Sequence, residues 1–432
     1  SILGNLKEAE ISFRKAIELN PNLAVSHSNL GSIQSILGNL KEAEISFRKA
    51  IELNPNLAES HSNLGDVLID LGNFKEAEIC QRKAIELNPN LAKAYYSLSN
   101  IKYSDEKKMW QDLLFSENIL NKKSKKEQVS IYFARANILH NEKKYKESSK
   151  YLKLANNLKL DIAPSKPNYL IEKSKALLIE SDKKEINKKA DKNYYESIFI
   201  VGMPRSGSTL VESILSMRND VCDLGEINFL EESFIEYKNS KQDINLAELY
   251  IKKIINKTKL KITTNKYLYN YQYAGIIANQ IPNAKIIHCF RNPLDNILSI
   301  YRANFKSGNE YSSSLFDCAK IYLDQENVMT KYKFRFPSRI YDLNYDLLVD
   351  NPNQEIKFLI SWLGWEWNDL YLFPHLNTRS ISTASKLQVR SPINSKSIGG
   401  WKNYKEMLKP AIENITQICL LYTSDAADEH GC

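Results

Sequence analysis

The residues of this chain whose types and spacing could do chemistry lie in a few short stretches. The first is Gly202-Met203-Pro204-Arg205-Ser206-Gly207-Ser208-Thr209, which follows the β-branched and aromatic run Ser197–Val201 and enters the helical pattern of Leu210–Met217. A strand ending on glycine, a loop of small residues and a helix start together present backbone amides and a helix N-terminus to an anion. The spacing imitates the phosphate loop of nucleoside triphosphatases, but Ser208 stands where that motif requires lysine. Triphosphate hydrolysis and P-loop kinase chemistry are thereby disfavoured. Arg205 supplies a cation from within the loop, and Pro204 stiffens its entry.

The second stretch is the buried-strand pattern Lys285–Phe290, which ends at Arg291-Asn292-Pro293, with Ser299 eight residues on and about two turns into the next helix. Ligands of parallel α/β sheets bind at that edge. Taken alone, Arg291 reads equally well as the ion-pair partner of Asp295. The third stretch holds Arg390, in Gln388–Ile393, and the turn Gly399-Gly400-Trp401, whose glycines permit close backbone approach. Trp401 reads equally well as core.

In this order, the loop, the Arg291/Ser299 pair and the closing segment resemble the sulfotransferases that use 3′-phosphoadenosine 5′-phosphosulfate (PAPS). The resemblance covers about 198–410 and is nearest in type to the tyrosylprotein and tetratricopeptide-linked bacterial enzymes. It implies that Pro204, Arg205, Ser206, Gly207, Ser208 and Thr209 hold the 5′-phosphosulfate and that Arg291 and Ser299 hold the 3′-phosphate. Arg390, Gly400 and Trp401 would close over the cofactor. It further implies Glu226, after Leu224-Gly225, as general base, Lys266 and Arg205 as cations beside the transferring group, and Ser385 as a hydrogen-bond donor to the transition state. In Thr264–Asn270 the family's Asp is replaced by Asn265 and its Pro by Leu268, which bears on how Lys266 is oriented. Sulfuryl transfer of this kind needs no metal, because cations and amides carry the charge. His288, inside the strand pattern, is expected to be a satisfied core residue.

These groups need elements to position them, and the chain has 432 residues, enough for two or three domains. Ser1–Gln34 and Ser35–Leu68 are the same sequence except at Val25/Glu59, Ser32/Asp66, Ile33/Val67 and Gln34/Leu68, and a third copy begins at Ile69. The 34-residue period, with Leu-Gly, Gly-Asn, Ala and Pro at fixed places, resembles the tetratricopeptide repeat family, whose helical hairpins stack into a superhelix. That resemblance implies a concave face for an extended peptide; a spacer or oligomerisation element is the other reading. His27 and His61, one repeat apart, stand where the pattern prefers Trp and are expected to pack rather than bind metal. Gln81 replaces the Phe found at Phe47. Helical patterning continues in Val129–His140 and Tyr145–Leu158, Asp161–Asn168 reads as a connector, and a Lys-rich helix leads onward.

Lys and Arg number 59 against 51 Asp and Glu, a net charge of +8, and the excess sits in residues 101–192, with 22 basic and 13 acidic side chains. Runs such as Lys122–Lys126 lack interleaved aromatic or Arg residues, so solvated helix faces are expected rather than nucleic-acid binding. The six cysteines form no CxxC pair, which excludes a zinc knuckle and points to reduced thiols. No apolar run reaches the 18–20 residues or so of a membrane span.

The expected fold class is α + α/β multidomain, a tetratricopeptide superhelix followed by a three-layer α/β P-loop-like domain with a mainly parallel sheet. The expected domains are repeats over 1–102, a degenerate helical repeat and basic bridge over 103–192, the sulfotransferase domain over 193–418, and a non-native tail over 419–432. The array is expected to continue upstream of Ser1, and a cytoplasmic location is expected. The expected activity is PAPS-dependent sulfation of an acceptor hydroxyl, with an acceptor protein or peptide engaged by the repeats. Protein tyrosine, glycan and small molecule remain open as acceptors, as does a non-catalytic scaffold with a lapsed nucleotide site.

Overall fold

The computed structural model describes residues 2–101, 109–182, 195–240, 244–305, 308–377, 379 and 385–416. The tail Cys419–Cys432 lies outside the described residues. The chain divides into two compact units, one comprising Ser1–Ala163 with Thr378–Gln388 and the other Pro164–Asn377 with Val389–Cys432.

The first unit is helical, as the 34-residue period predicts. Ala24–Ile36 pairs with Leu40–Leu53, Ala58–Leu71 with Phe74–Leu87, and Ala92–Asn100 follows as the last helix of the third copy. Gly38 and Gly72 turn the chain between helices at φ +85° and +88°, a left-handed conformation that glycine adopts without a Cβ penalty. Small residues let the paired helices touch: a Cβ on Gly31 would lie 3.1 Å from the Phe47 ring. His27 and His61 pack as expected, each with Nε2 on the carbonyl of the preceding proline, Pro21 at 3.0 Å and Pro55 at 2.9 Å. Tyr95, at the same place in the third copy, donates to Pro89 O at 3.0 Å. The later hairpin also forms, as Lys125–Asn141 and Tyr145–Ile162. Its first helix starts at a reciprocal cap in which Ser124 and Glu127 satisfy each other's backbone N–H groups.

The second unit is built on five parallel strands: β1 (Glu196–Gly202), β2 (Val221–Asp223), β3 (Ile262–Asn265), β4 (Ala284–Phe290) and β5 (Ile340–Asn344), in the order β2-β3-β1-β4-β5. β1 and β4 are buried on both faces, which is why they read as continuous apolar runs. Phe199, Val201 and Ile286 share one core with Tyr250, Ile254, Ile276, Ile277 and Tyr332, contributed by the helices Leu246–Ile255, Ala274–Gln280 and Leu315–Arg335. The helix Pro167–Glu180 belongs to this unit, with Ser174 and Leu177 buried in it. Asn344 Oδ1 accepts from Asp346 N and Leu347 N, so β5 ends there and a helix, Tyr345–Asp350, begins.

Among the described residues, no helix is long and apolar enough to cross a membrane, and no three His, Cys, Asp or Glu side chains are grouped to hold a metal ion.

Candidate active site

Register explains how residues far apart in sequence meet. Gly202 on β1 pairs with Cys289 on β4, so Pro204 and Arg291 leave the same sheet edge, two residues past that pair. Asp223 on β2 pairs with Thr264 on β3, so Glu226 and Lys266 emerge side by side. Phe290 pairs with Asn344, which brings Tyr345 and Asp346 next to Arg291. At about 4.8 Å between strands, the order sets Glu226, Lys266, Arg205, Arg291 and Tyr345 in a row along the carboxyl edge.

The loop is tightly wound. Gly202 has φ +138°, and a Cβ there would lie 2.2 Å from Cys289 O, so no side chain fits. Gly207 has φ +95°, and a Cβ there would meet the Tyr345 ring at 2.2 Å. Arg205 itself is left-handed, φ +68°, a strain of about 1–2 kcal/mol for a residue with a side chain and of the kind found at functional loops. Its Nε donates to Ser299 Oγ at 3.1 Å. Asn296 Nδ2 donates to Pro204 O at 3.0 Å, a tie between the loop and the helix Pro293–Tyr301 that the sequence did not announce. Ser206, Ser208 and Thr209 are buried at the start of the helix Ser208–Leu215.

Arg291 is 5% exposed. It donates to Ser397 O at 2.8 Å, lies 4.8 Å over the Tyr345 ring, and has Asp346 as its carboxylate neighbour at 3.6 Å. The carboxylate of Asp295, the partner suggested by sequence, instead accepts from Gly399 N at 2.7 Å and Trp401 N at 2.9 Å. Two buried donors at this edge, Ser206 Oγ and Arg291 Nε, have no hydrogen-bond partner among the described residues, and the oxygens of a phosphate or sulfate would satisfy both.

Lys266 is fully buried and donates to Glu226 Oε1 at 2.7 Å, while half of the Glu226 side chain faces solvent. Lys266 N also donates to Gly225 O at 2.8 Å, extending the β2–β3 ladder. The two departures in this stretch are accommodated. Asn265 Oδ1 accepts from Tyr267 N at 3.0 Å and Asn270 Nδ2 at 3.2 Å, work that needs only an acceptor oxygen. Leu268 opens the 3₁₀ turn Leu268–Tyr273, whose first residue needs no proline. His288 is satisfied on both nitrogens, with Nδ1 2.7 Å from Asp342 Oδ1 and Nε2 2.6 Å from Gln325 Nε2.

Arg390 donates to the carbonyl of Asn377. The Asn377 side chain in turn donates to Ser216 Oγ at 3.0 Å, past the carboxyl end of the loop helix. Ser385 is half-buried in the segment that groups with the helical unit. Tyr345 was missed at the sequence level; its only signal there is its place immediately after the strand neighbouring Arg291.

The model of the sulfotransferase family matches residues 197–369, and tetratricopeptide repeat models match 1–23, 24–57, 58–91 and 129–161. An uncharacterized protein of Aquifex aeolicus (strain VF5) is 30% identical over 241 residues, half of this chain and 32% of that protein. This chain therefore spans about a third of the length of that relative. A Caenorhabditis briggsae protein named "Putative protein-tyrosine sulfotransferase" is 26% identical over 235 residues, 48% of this chain and 81% of that one. The solved sulfotransferase domain of the Synechococcus PCC 7002 olefin synthase is 17% identical and covers 53% of this chain and 98% of that one, with a TM-score of 0.38. With the family model falling on the strands and loop described above, this chain joins tetratricopeptide repeats to a domain of the sulfotransferase family.

Proposed function

We propose that the chain transfers a sulfuryl group from PAPS to an acceptor hydroxyl, with a protein tyrosine as the first acceptor to test. The observation that carries the donor assignment is the Arg205–Ser299 bond, which joins the anion loop to the helix that follows Arg291. Two anion subsites, one for each end of a nucleotide carrying 5′ and 3′ groups, then share one edge of the sheet. Ser206 Oγ and Arg291 Nε are the donors that such a ligand would use. Tyrosine is favoured as acceptor by the repeats and by the name of the nematode relative.

Bound PAPS supplies a sulfuryl group on a phosphosulfate anhydride, displaced in line at sulfur. Residues Pro204–Thr209 hold the 5′ group and Arg291 with Ser299 the 3′-phosphate. Glu226 takes the proton from the acceptor hydroxyl as its oxygen bonds to sulfur. Lys266 and Arg205 offset the charge that develops on the bridging oxygen as the S–O bond breaks. The closing segment, with Gly400 and Trp401, shields the donor.

Calorimetric titration of the full chain with 3′,5′-adenosine bisphosphate tests the donor site: Arg205→Ala and Arg291→Ala should each weaken binding at least tenfold, as loss of charged hydrogen bonds predicts. Turnover of radiolabelled PAPS with tyrosine-containing peptides should fall at least a hundredfold in Glu226→Gln while binding persists. A folded wild type that binds no bisphosphate would sink the donor assignment.

A further inference from the structure

The segment that closes this edge is held by polar contacts rather than by a core. Residues 391–398 are exposed apart from the half-buried Ile393. Residues 397–401 are tied to the residues around the second anion subsite: Arg291 to Ser397 O at 2.8 Å, the Tyr345 hydroxyl to Ser397 Oγ at 3.2 Å, and the Asp295 carboxylate to the Gly399 and Trp401 amides.

Asp295 is the one that matters most. It is 4% exposed and sits in the first turn of the helix Pro293–Tyr301, where the helix dipole favours a carboxylate. Each of its oxygens accepts one amide hydrogen, from either side of Gly400. Gly399 is left-handed at φ +70°, a conformation glycine adopts without a Cβ penalty, and so shapes the turn that reaches the carboxylate. Charge-assisted hydrogen bonds of this length are the strong kind.

We infer that Asp295 is a positioning residue of the donor site: it latches the turn 399–401 onto the helix that carries Ser299 and so holds the closing segment over the second anion subsite. This rests on the PAPS reading above. The latch has no contact with the reacting atoms. It acts by pre-ordering the segment, so that donor binding does not have to supply that order.

The test uses the full chain as wild type, Asp295→Ala, Asp295→Asn and Asp295→Glu, with 3′,5′-adenosine bisphosphate as probe. Bisphosphate affinity should fall roughly 10- to 100-fold in Asp295→Ala and less in Asp295→Asn, which keeps one acceptor oxygen. Asp295→Glu should recover part of the loss. Limited trypsin digestion without ligand should cut faster after the exposed Lys396 and Lys402 in Asp295→Ala, with other sites unchanged. Uniformly faster cutting would mark a general folding role and overturn the latch, and so would wild-type affinity in Asp295→Ala. A wild type that binds no bisphosphate overturns the donor reading instead, and shows itself in the wild-type titration alone.

Discussion

At the scale of single residues, the chemistry depends on charges kept in places that resist them. Lys266 is an ammonium with almost no solvent, and its stability rests on Glu226 at 2.7 Å, since an unpaired buried charge costs several kcal/mol. Glu226→Gln is therefore a better probe than Glu226→Ala, because it keeps an acceptor for that ammonium. Asp324, facing Ser174 in the sheet unit, has the opposite problem: burial pushes its carboxyl up to about 6. A raised acid binds its proton more tightly in the folded state, so folding stability falls as pH rises from about 4 through 6 and stays lower above. Asp324→Asn should thus match wild type near pH 4 and be more stable by about 1 kcal/mol at pH 8, allowing for solvent screening of a partly exposed group. Urea melts at the two pH values decide this; a difference independent of pH would remove Asp324 as the cause.

At the scale of elements, the repeats show how departures from a pattern compensate one another. Gln81 stands one period after Phe47, and Asp66 one period after Ser32. In the structure Gln81 Nε2 donates to Asp66 Oδ1 at 3.0 Å and to Ser62 O at 2.9 Å, and Asp66 also accepts from Ser97 Oγ at 2.6 Å and pairs with Lys93 at 2.7 Å. A buried polar side chain has replaced an aromatic one; the preceding helix supplies its partners, and the next helix holds Asp66 through Ser97 and Lys93. Gln81→Phe and Asp66→Ser should each cost about 1–2 kcal/mol, and the double variant at least 1 kcal/mol less than their sum, since either change alone already breaks the Gln81–Asp66 bond. Additive losses in denaturant titration would show that the two positions are independent. The 34-residue period announced these helices because each hairpin buries the same face in every copy. It was silent about the network, because the network joins residues of different copies.

At the scale of the whole molecule, the two compact units predict where a donor leaves its mark. A ligand at one hundred times its Kd adds about 2.7 kcal/mol, which for a unit of this size raises melting by about 5–10 °C. Slowed amide exchange should fall on residues 202–209, 291–299 and 397–401; protection spread through the repeats at 24–100 would place the ligand elsewhere. The sequence by itself determined the helical repeats, the strand-loop-helix around Gly202–Thr209 and the residue types at the sheet edge, because periodicity and loop chemistry are local and survive in one dimension. Only the tertiary structure decided which of those residues are neighbours. Strand order and register put Glu226 beside Lys266 and Tyr345 beside Arg291, and turned Asp295 from an expected ion-pair partner of Arg291 into the anchor of a turn a hundred residues away. The reason is physical: a parallel sheet aligns strand ends through hydrogen bonds between segments far apart in the chain, and no local pattern encodes that pairing.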